Sequence, residues 1–530
     1  MEQELVSKKE IVNSFLKKGI LLSSDIIKQL GEIDLENLQK IIPKDKLSNL
    51  LVLNKDLNKL LFKIQDLDIN WVELDKTKTL LEKGKSKEHY KKFIEYLSTQ
   101  QEEKEVIEDK EKVSVKIIYS YEEDPKKRDI QDFVQYFNNR YKTIEKILKN
   151  RSELTNILSI NRIKIKKDRD HISLIGLVKE KRVTKNKNII LTLEDPTSYI
   201  RVLANKNKPD LFKIANNTVL DEVIAITGVN AENIVFADNI FLPDIPTNKE
   251  LRKSPSEVYA LFLSDLHVGS KNFLSEDFDK FLRWINLEAG NEQQKEIASK
   301  VKYIFIVGDL VDGCGIYPEQ DKELLIKDIK EQYKECADLL KQIPKNIQLI
   351  ICSGNHDAMR IAEPQPALYE EFAEPLYKLP NTIIVSNPSL INIHSSENFP
   401  GFDVLLYHGY SFDFFVSEVD SIRNSGGYDR ADLIMRFLLQ RRHLAPTHTS
   451  TLYIPDTTKD PLVIDEVPDF FVSGHIHKSI TANYRNVTMV CGSCWQSKTS
   501  FQEKVGHHPE PSRVPIANLK TREMKILKFG

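Results

Sequence analysis

The residues able to do chemistry are concentrated between Val258 and Thr481. Five short pieces stand out: Ser264-Asp265-Leu266-His267, Gly308-Asp309-Leu310-Val311-Asp312, Gly354-Asn355-His356-Asp357, His408-Gly409 and Gly474-His475-Ile476-His477. Asp, Asn and His supply hard oxygens and imidazole nitrogens, a donor set suited to Mn²⁺, Fe or Zn²⁺ and not to thiolate-bound clusters. Seven candidate ligands (Asp265, His267, Asp309, Asn355, His408, His475 and His477) exceed what one four-coordinate ion needs. Two ions sharing a bridging carboxylate is the economical arrangement, and such a pair clamps the attacking and leaving oxygens of a phosphoryl displacement. One such piece alone is more often a turn than a ligand set. The ordered set of five carries the reading.

Each piece follows an apolar run. Ala260-Leu261-Phe262-Leu263 precedes the first, Tyr303 to Val307 the second, Leu349 to Cys352 the third, Val404 to Tyr407 the fourth and Phe470 to Val472 the fifth. Short continuous apolar runs bounded by polar residues and glycine predict buried strands. Five strands ending in Asp, Asn and His would gather those side chains along one sheet edge, where open α/β sheets bind their ligands.

The pattern D-x-H, G-D-x-x-D, G-N-H-D, a later H and G-H-x-H resembles the calcineurin-like metallophosphoesterases. The resemblance implies that Asp265, His267 and His477 hold one metal ion, that Asn355, His408 and His475 hold a second, and that Asp309 bridges them. It further implies that His356 is the catalytic histidine near the leaving oxygen, with Asp312 as its orienting partner. It leaves the substrate open, since that family includes phosphatases, cyclic-nucleotide diesterases and nucleases.

The remainder of the chain must position these groups. With 530 residues, 41% hydrophobic and 29% charged, it can bury sizeable cores and is expected to make two or three domains. A net charge of −2 argues neither for nor against nucleic acid. Five cysteines without framework spacing indicate a reducing compartment. Cys491-Gly492-Ser493-Cys494 is a lone C-x-x-C, read as two semi-buried thiols in preference to a zinc site. The acidic start Met1-Glu2-Gln3-Glu4 lacks a secretory signal, and no apolar run approaches the roughly 18 residues of a membrane span. A soluble cytoplasmic protein is the expectation.

Residues 1–65 read as a helical module. Ile11, Phe15 and Leu16 fall at helical spacing, Ser23 or Ser24 could cap a helix ending at Gly31, and Leu47, Leu50, Leu51 and Leu53 follow Pro43. Docking is its expected role, with a helix-turn-helix reader of DNA as the alternative. Residues 66–128 are rich in Lys, Glu, Asp, Gln and Ser and read as a charged tether. Residues 129–250 read as a docking helix plus a barrel. Ile130, Phe133, Val134, Phe137, Tyr141, Ile144 and Leu148 keep helical spacing. Five strand-like runs between about 172 and 236, with a helical segment from Pro209 between the third and fourth, match the layout of an OB-fold. Lys179, Lys181, Arg182, Lys185 and Lys187 crowd the first hairpin as a phosphate-facing edge or a solvated tip, and Tyr199, Phe236 and Phe241 could stack on bases. Residues 251–530 read as the phosphoesterase domain that the resemblance implies. The fold class is therefore multidomain α+β: a helical N-terminal module, an OB-fold β-barrel and a C-terminal calcineurin-like domain built as a two-sheet α/β sandwich.

A barrel directly before such a domain resembles the small subunits of replicative DNA polymerases. Gly354 to Pro366, Tyr407-His408-Gly409-Tyr410-Ser411 and Arg441-Arg442-His443-Leu444-Ala445-Pro446 look like the small subunit of archaeal family-D polymerases, a 3′–5′ exonuclease that keeps the metal ligands eukaryotic relatives have lost. That resemblance implies two divalent ions, Mn²⁺ first. It also implies a large polymerase subunit as partner, DNA with 3′ single-stranded or mismatched primer ends, and a sliding clamp reached through the holoenzyme. A catalytically silent scaffold and a stand-alone phosphoesterase are the alternatives. Ten of the twelve histidines lie after residue 257, more than the ligand set needs. His443, in the basic run Arg441-Arg442-His443, could hold a DNA backbone or do nothing. His448 reads as structural, His394 has no assigned role, and His507-His508 read as an exposed loop. Arg360 could contact a phosphate or pair with Glu363.

Overall fold

The computed structural model describes residues 114–122, 126–166, 169–504 and 507–530, together with 21–22 and 52–53. These fall into two units, Met1–Lys110 and Glu111–Gly530, each taken by itself. In the first, β1 (Leu21–Leu22) pairs in parallel with β2 (Val52–Leu53). Leu53, expected in a helix, is thus a strand residue; the other helical expectations for residues 1–65 lie outside the described residues.

The second unit opens with a departure from the expected tether. Val115–Ser120 is a strand, β3, pairing antiparallel with Ser389–Ile393. Its residues are half-exposed or exposed, as suits an edge strand. Helix α1 (Ile130–Lys149) follows, opened by a capping box in which the Asp129 carboxylate accepts from the Gln131 and Asp132 amides while Asp132 accepts from that of Asp129. Helix α2 (Ile160–Ile165) then leads into a closed barrel of β4 (His171–Val183), β5 (Ile189–Asp195), β6 (Ser198–Ala204), β7 (Val223–Ala231) and β8 (Ile234–Phe241), in the order β4-β5-β6-β8-β7. Helix α3 (Pro209–Asn217) lies between the third and fourth of these strands, with Pro209 at its first turn. Closure removes every free edge.

The rest is a sandwich. One sheet runs β12 (Thr382–Val385), β11 (Gln348–Cys352), β10 (Val301–Val307), β9 (Tyr259–Leu263), β18 (Arg513–Asn518), β19 (Met524–Lys528); its first four strands are parallel. The other runs β16 (Ile480–Tyr484), β17 (Val487–Cys491), β15 (Phe470–Ser473), β14 (Phe402–Leu406), β13 (Ser389–Ile393), β3. Alternation along each strand sends side chains to two different layers. Phe262, Phe305, Ile350, Val404 and Phe470 meet between the sheets, whereas Leu261, Leu263, Ile304 and Ile351 pack outward under helices. Those helices are α4 (Ser275–Ile285), α5 (Glu292–Ser299), α6 (Ile329–Leu340) and α7 (Glu370–Tyr377). On the far side α8 (Phe412–Glu418), α9 (Asp420–Arg423) and α10 (Ala431–Arg441) cover Leu405, Tyr407, Phe471 and Met489. Strands covered on both faces read as continuous apolar runs, which is why the site-bearing strands lack polar alternation.

Helix α1 fastens barrel to sandwich. Tyr141, Ile144 and Leu148 pack on Ile175, Leu177, Val223 and Ala225 of the barrel. Arg140 is buried; its Nε donates to Asp460 Oδ2 at 2.7 Å and its Nη1 to the Pro446 carbonyl at 2.6 Å. At the helix's start, by contrast, Ile130 is 84% exposed and Val134 44%. The run Arg441-Arg442-His443 also departs from a surface role, since all three are buried. Arg441 pairs with Glu222 of the barrel at 2.6 Å, Arg442 Nε donates to the Ile464 carbonyl at 2.6 Å, and His443 Nε2 lies 2.8 Å from Asp460 Oδ2. All three side chains are spent on internal partners, Arg441 across the junction with the barrel, and are closed to DNA.

Candidate metal centre

The five motifs sit on the turns just beyond β9, β10, β11, β14 and β15, and those turns are tight. Asp265, His267, Asp309, His475 and His477 all have φ between 51° and 71°, in the left-handed region. Each non-glycine residue held there costs on the order of 1 to 2 kcal/mol, so the scaffold must impose it. The glycines are there because the site closes over them. A Cβ on Gly354 would lie 2.2 Å from Asp309 Oδ1, and one on Gly308 would lie 2.3 Å from His408 Nδ1.

All seven candidate ligands converge. His477 Nε2 stands 3.1 Å from His267 Nε2 and 3.3 Å from Asp265 Oδ1. Asn355 Oδ1 stands 3.1 Å from His408 Nε2 and 3.0 Å from His475 Nδ1. Asp309 lies between the two groups, its Oδ2 3.3 Å from His408 Nε2 and 3.9 Å from His267 Nε2. Separations near 3 Å are the edges of a coordination polyhedron whose bonds are roughly 2.1 Å long. The sets Asp265, His267, His477 and Asp265, Asp309, His408 each bring donor atoms within 4.8 Å of one another. This donor set fits divalent cations.

The electrostatics agree. Asp265, Asp309 and Asp312 are buried, and among the described residues their ion pairs are all with histidines, never Lys or Arg. Burial disfavours the Asp309 carboxylate, but His408 and His356 outweigh it and hold the pKa well below the usual range. Burial would likewise depress His408, yet Asp309 and then Asp265 drive it up to about 10.

His356 and Asp312 are arranged differently from their expected pairing. His356 Nδ1 lies 2.8 Å from the Asp312 backbone carbonyl, so the main chain and not the carboxylate orients that ring. The Asp312 carboxylate faces His267 Nδ1 at 3.1 Å and accepts from Gln496 Nε2 at 2.8 Å and Gln320 Nε2 at 3.0 Å. A proton on His267 Nδ1, donated to Asp312, leaves Nε2 as the free donor atom toward the centre. Burial lowers the His356 pKa, so the isolated imidazole stays neutral at pH 7.

Several supporting residues lie outside the candidate ligand set. Asp357 accepts from the Asp309 amide at 3.0 Å and the Gly354 amide at 2.8 Å, tying two of the turns together. Burial, helped by the Asp309 charge, pushes its carboxyl up to about 7. Asp413 Oδ2 lies 3.0 Å from His475 Nε2, and Asn387 Oδ1 accepts from the His408 amide at 2.9 Å. Only Asp357, the last residue of G-N-H-D, could have been found from the sequence. Among the remaining polar residues, Arg360 donates to the Pro364 carbonyl at 2.6 Å and stands over Tyr121, while buried Glu363 accepts from Tyr407 at 3.1 Å. His394 contacts Ser256 and Tyr303, His448 Nδ1 lies 2.7 Å from the Tyr453 hydroxyl, and the His507 ring lies 4.2 Å from that of Tyr428. Cys491 and Cys494 are buried free thiols. On the barrel hairpin, Lys179 pairs with Glu194 at 2.9 Å and Lys181 donates to the Thr218 carbonyl at 2.9 Å.

Two stacked sheets with metal-donor turns at one end define a calcineurin-like phosphoesterase domain, and residues 259–479 match the family model of that description, calcineurin-like phosphoesterase. The fold family implies divalent metal ions. Over 402 residues the chain is 39% identical to the DNA polymerase II small subunit of Methanothermobacter thermautotrophicus, covering 76% of this chain and 80% of that protein. It is 40% identical over 405 residues to the protein of the same name from Pyrococcus horikoshii, covering 76% and 63%, and 40% identical over 394 residues to that of Methanocaldococcus jannaschii, covering 74% and 64%. The chain thus spans less than two thirds of the last two relatives. It belongs to the family of DNA polymerase II small subunits.

Proposed function

We propose that this chain is the 3′–5′ exonuclease subunit of an archaeal replicative DNA polymerase, hydrolysing phosphodiester bonds from a 3′ end and releasing mononucleotides for proofreading. The observation that carries this reading is the pair of donor groups sharing Asp309. Asp265, His267 and His477 would hold one divalent ion and Asn355, His408 and His475 the other, with Asp309 common to both and Mn²⁺ the first choice for hard oxygen and imidazole donors. When bound, such ions neutralise phosphate charge and lower the pKa of an attacking water toward neutrality.

The chain's own residues supply the remainder. Asp312 fixes the His267 tautomer through its carboxylate and orients His356 through its carbonyl. With Nδ1–H held on that carbonyl, Nε2 is the nitrogen through which His356 passes a proton to the departing 3′ oxygen. A bound diester's negative charge favours the imidazolium that burial disfavours, the form in which His356 acts as an acid. Synthesis belongs to a separate large subunit, through which the clamp is reached. DNA enters as a single-stranded or mismatched primer end.

The test offers 3′-labelled single-stranded DNA and Mn²⁺ to the purified chain, with and without its large subunit. Mononucleotide release is expected. Asp309→Ala should abolish it, and His356→Ala should lower it by about 10²- to 10⁴-fold while retaining bound Mn²⁺ by elemental analysis. Wild-type cleavage by either variant overturns the assignments; no release by the wild type leaves a silent scaffold.

A further inference from the structure

One aromatic side chain stands beside His356 and another beside the donor group of Asn355, His408 and His475. Tyr317 is half-buried, with its ring centroid 6.3 Å from that of His356, and its hydroxyl donates to Glu323 Oε2 at 3.1 Å, which fixes the ring. Tyr410, directly after His408-Gly409, is also half-buried, with its ring 5.8 Å from that of His475 at 63°. Between them the imidazoles follow in short steps: His356 to His267 at 4.7 Å, His267 to His477 at 5.0 Å and His408 to His475 at 5.4 Å. A half-exposed tyrosine within one base-width of a phosphoesterase centre offers a π face, which every nucleobase can stack on irrespective of sequence.

We infer that Tyr410 is the stacking platform for the 3′-terminal base of a single-stranded substrate, with the retained strand leaving past Tyr317. The polarity rests on the exonuclease reading given above. If His356 protonates the oxygen that stays on the shortened strand, that strand lies on the His356 and Tyr317 side. The nucleotide being released then lies on the His475 and Tyr410 side. The subsite takes a base of any identity, as removal of mismatches of every kind requires.

The probe is a short single strand carrying 2-aminopurine at its 3′ end, added to the full chain in Ca²⁺. Stacking quenches its fluorescence. Wild type and Tyr410→Phe should quench the terminal 2-aminopurine, and Tyr410→Ala should lose that quench and bind the strand about tenfold more weakly. The same fluorophore one nucleotide inward should keep its response in Tyr410→Ala. Equal terminal quenching by Tyr410→Ala and wild type, no terminal quenching by the wild type at saturation, or Tyr410→Phe behaving like Tyr410→Ala each overturns the subsite. Binding is read without cleavage, so a chain that quenches but releases no nucleotide in Mn²⁺ keeps the subsite and loses the nuclease reading.

Discussion

Two buried clusters of this protein contain the same residue types and resolve them in opposite ways. At the junction of α1, barrel and sandwich, Asp460 accepts from Arg140 at 2.7 Å and faces His443 at 2.8 Å. Burial raises the Asp460 pKa, but the Arg140 charge overrides it and holds the carboxylate far below its usual range. Burial, reinforced by Arg140, pushes His443 down to about 4, so the ring stays neutral. That cluster is sealed by a cation of its own. The cleft around Asp309 has several carboxylates and histidines and no guanidinium or ammonium paired to them among the described residues. The difference shows what separates a structural charge cluster from a cation site: whether the positive charge is a fixed guanidinium or sits on histidines that can release their protons to a cation from outside.

Breaking the junction should cost the most. Arg140→Met leaves Asp460 buried without its partner, a loss of about 3 to 5 kcal/mol in chemical denaturation. Asp309→Asn in the ion-free cleft should cost less, because its partners are histidines that can shed their protons when it is neutralised, so no uncompensated charge stays buried. Equal losses would erase the distinction. The His443 ring gives the next effect. Its folded pKa lies below the unfolded value of about 6.5, so the unfolded chain takes up the proton first as pH falls. The stability contribution is constant above about pH 7 and is lost progressively between about 6.5 and about 4, on the order of 3 kcal/mol in all. Comparing wild type with His443→Gln over that window isolates it; parallel pH curves would refute it. Cation addition should then act on the cleft alone. Mn²⁺ at a hundred times its dissociation constant should stabilise the wild type by about 2.7 kcal/mol, and Asp309→Ala much less, by calorimetry. Smallest is Ile130→Ser at the exposed start of α1, expected within about 0.5 kcal/mol of wild type.

The motif residues were legible because each closes an apolar run that could only be a strand, and their spacing survives without knowledge of the fold. The barrel was legible for a similar reason, with period and turn residues agreeing along β4 to β8. What escaped depends on partners remote in sequence. The Arg441-Arg442-His443 run looks solvated until Glu222 and Asp460 are set beside it. The face of α1 looks continuous from Ile130 to Leu148, yet its first turns are exposed while Arg140 is buried, because Asp460 lies 320 residues away. Asp312 meets His356 through its carbonyl while its carboxylate faces His267, and nothing in the spacing distinguishes the two groups. Gln496 and Gln320, which hold that carboxylate, have no signature of their own.

Strand β3 gives the fold a timing. Tyr121, just past its end, donates its amide to Ser386 Oγ across 265 residues of chain, so the sheet's last strand is among its first parts to be synthesised. At a translation rate of roughly 5–20 residues per second, tens of seconds separate its emergence from that of β13. Helix and barrel are completed within that interval. The sandwich must therefore capture a segment already extended from a finished neighbour, and a fragment started at the barrel or later would leave Ile391 and Ile393 at an open sheet edge.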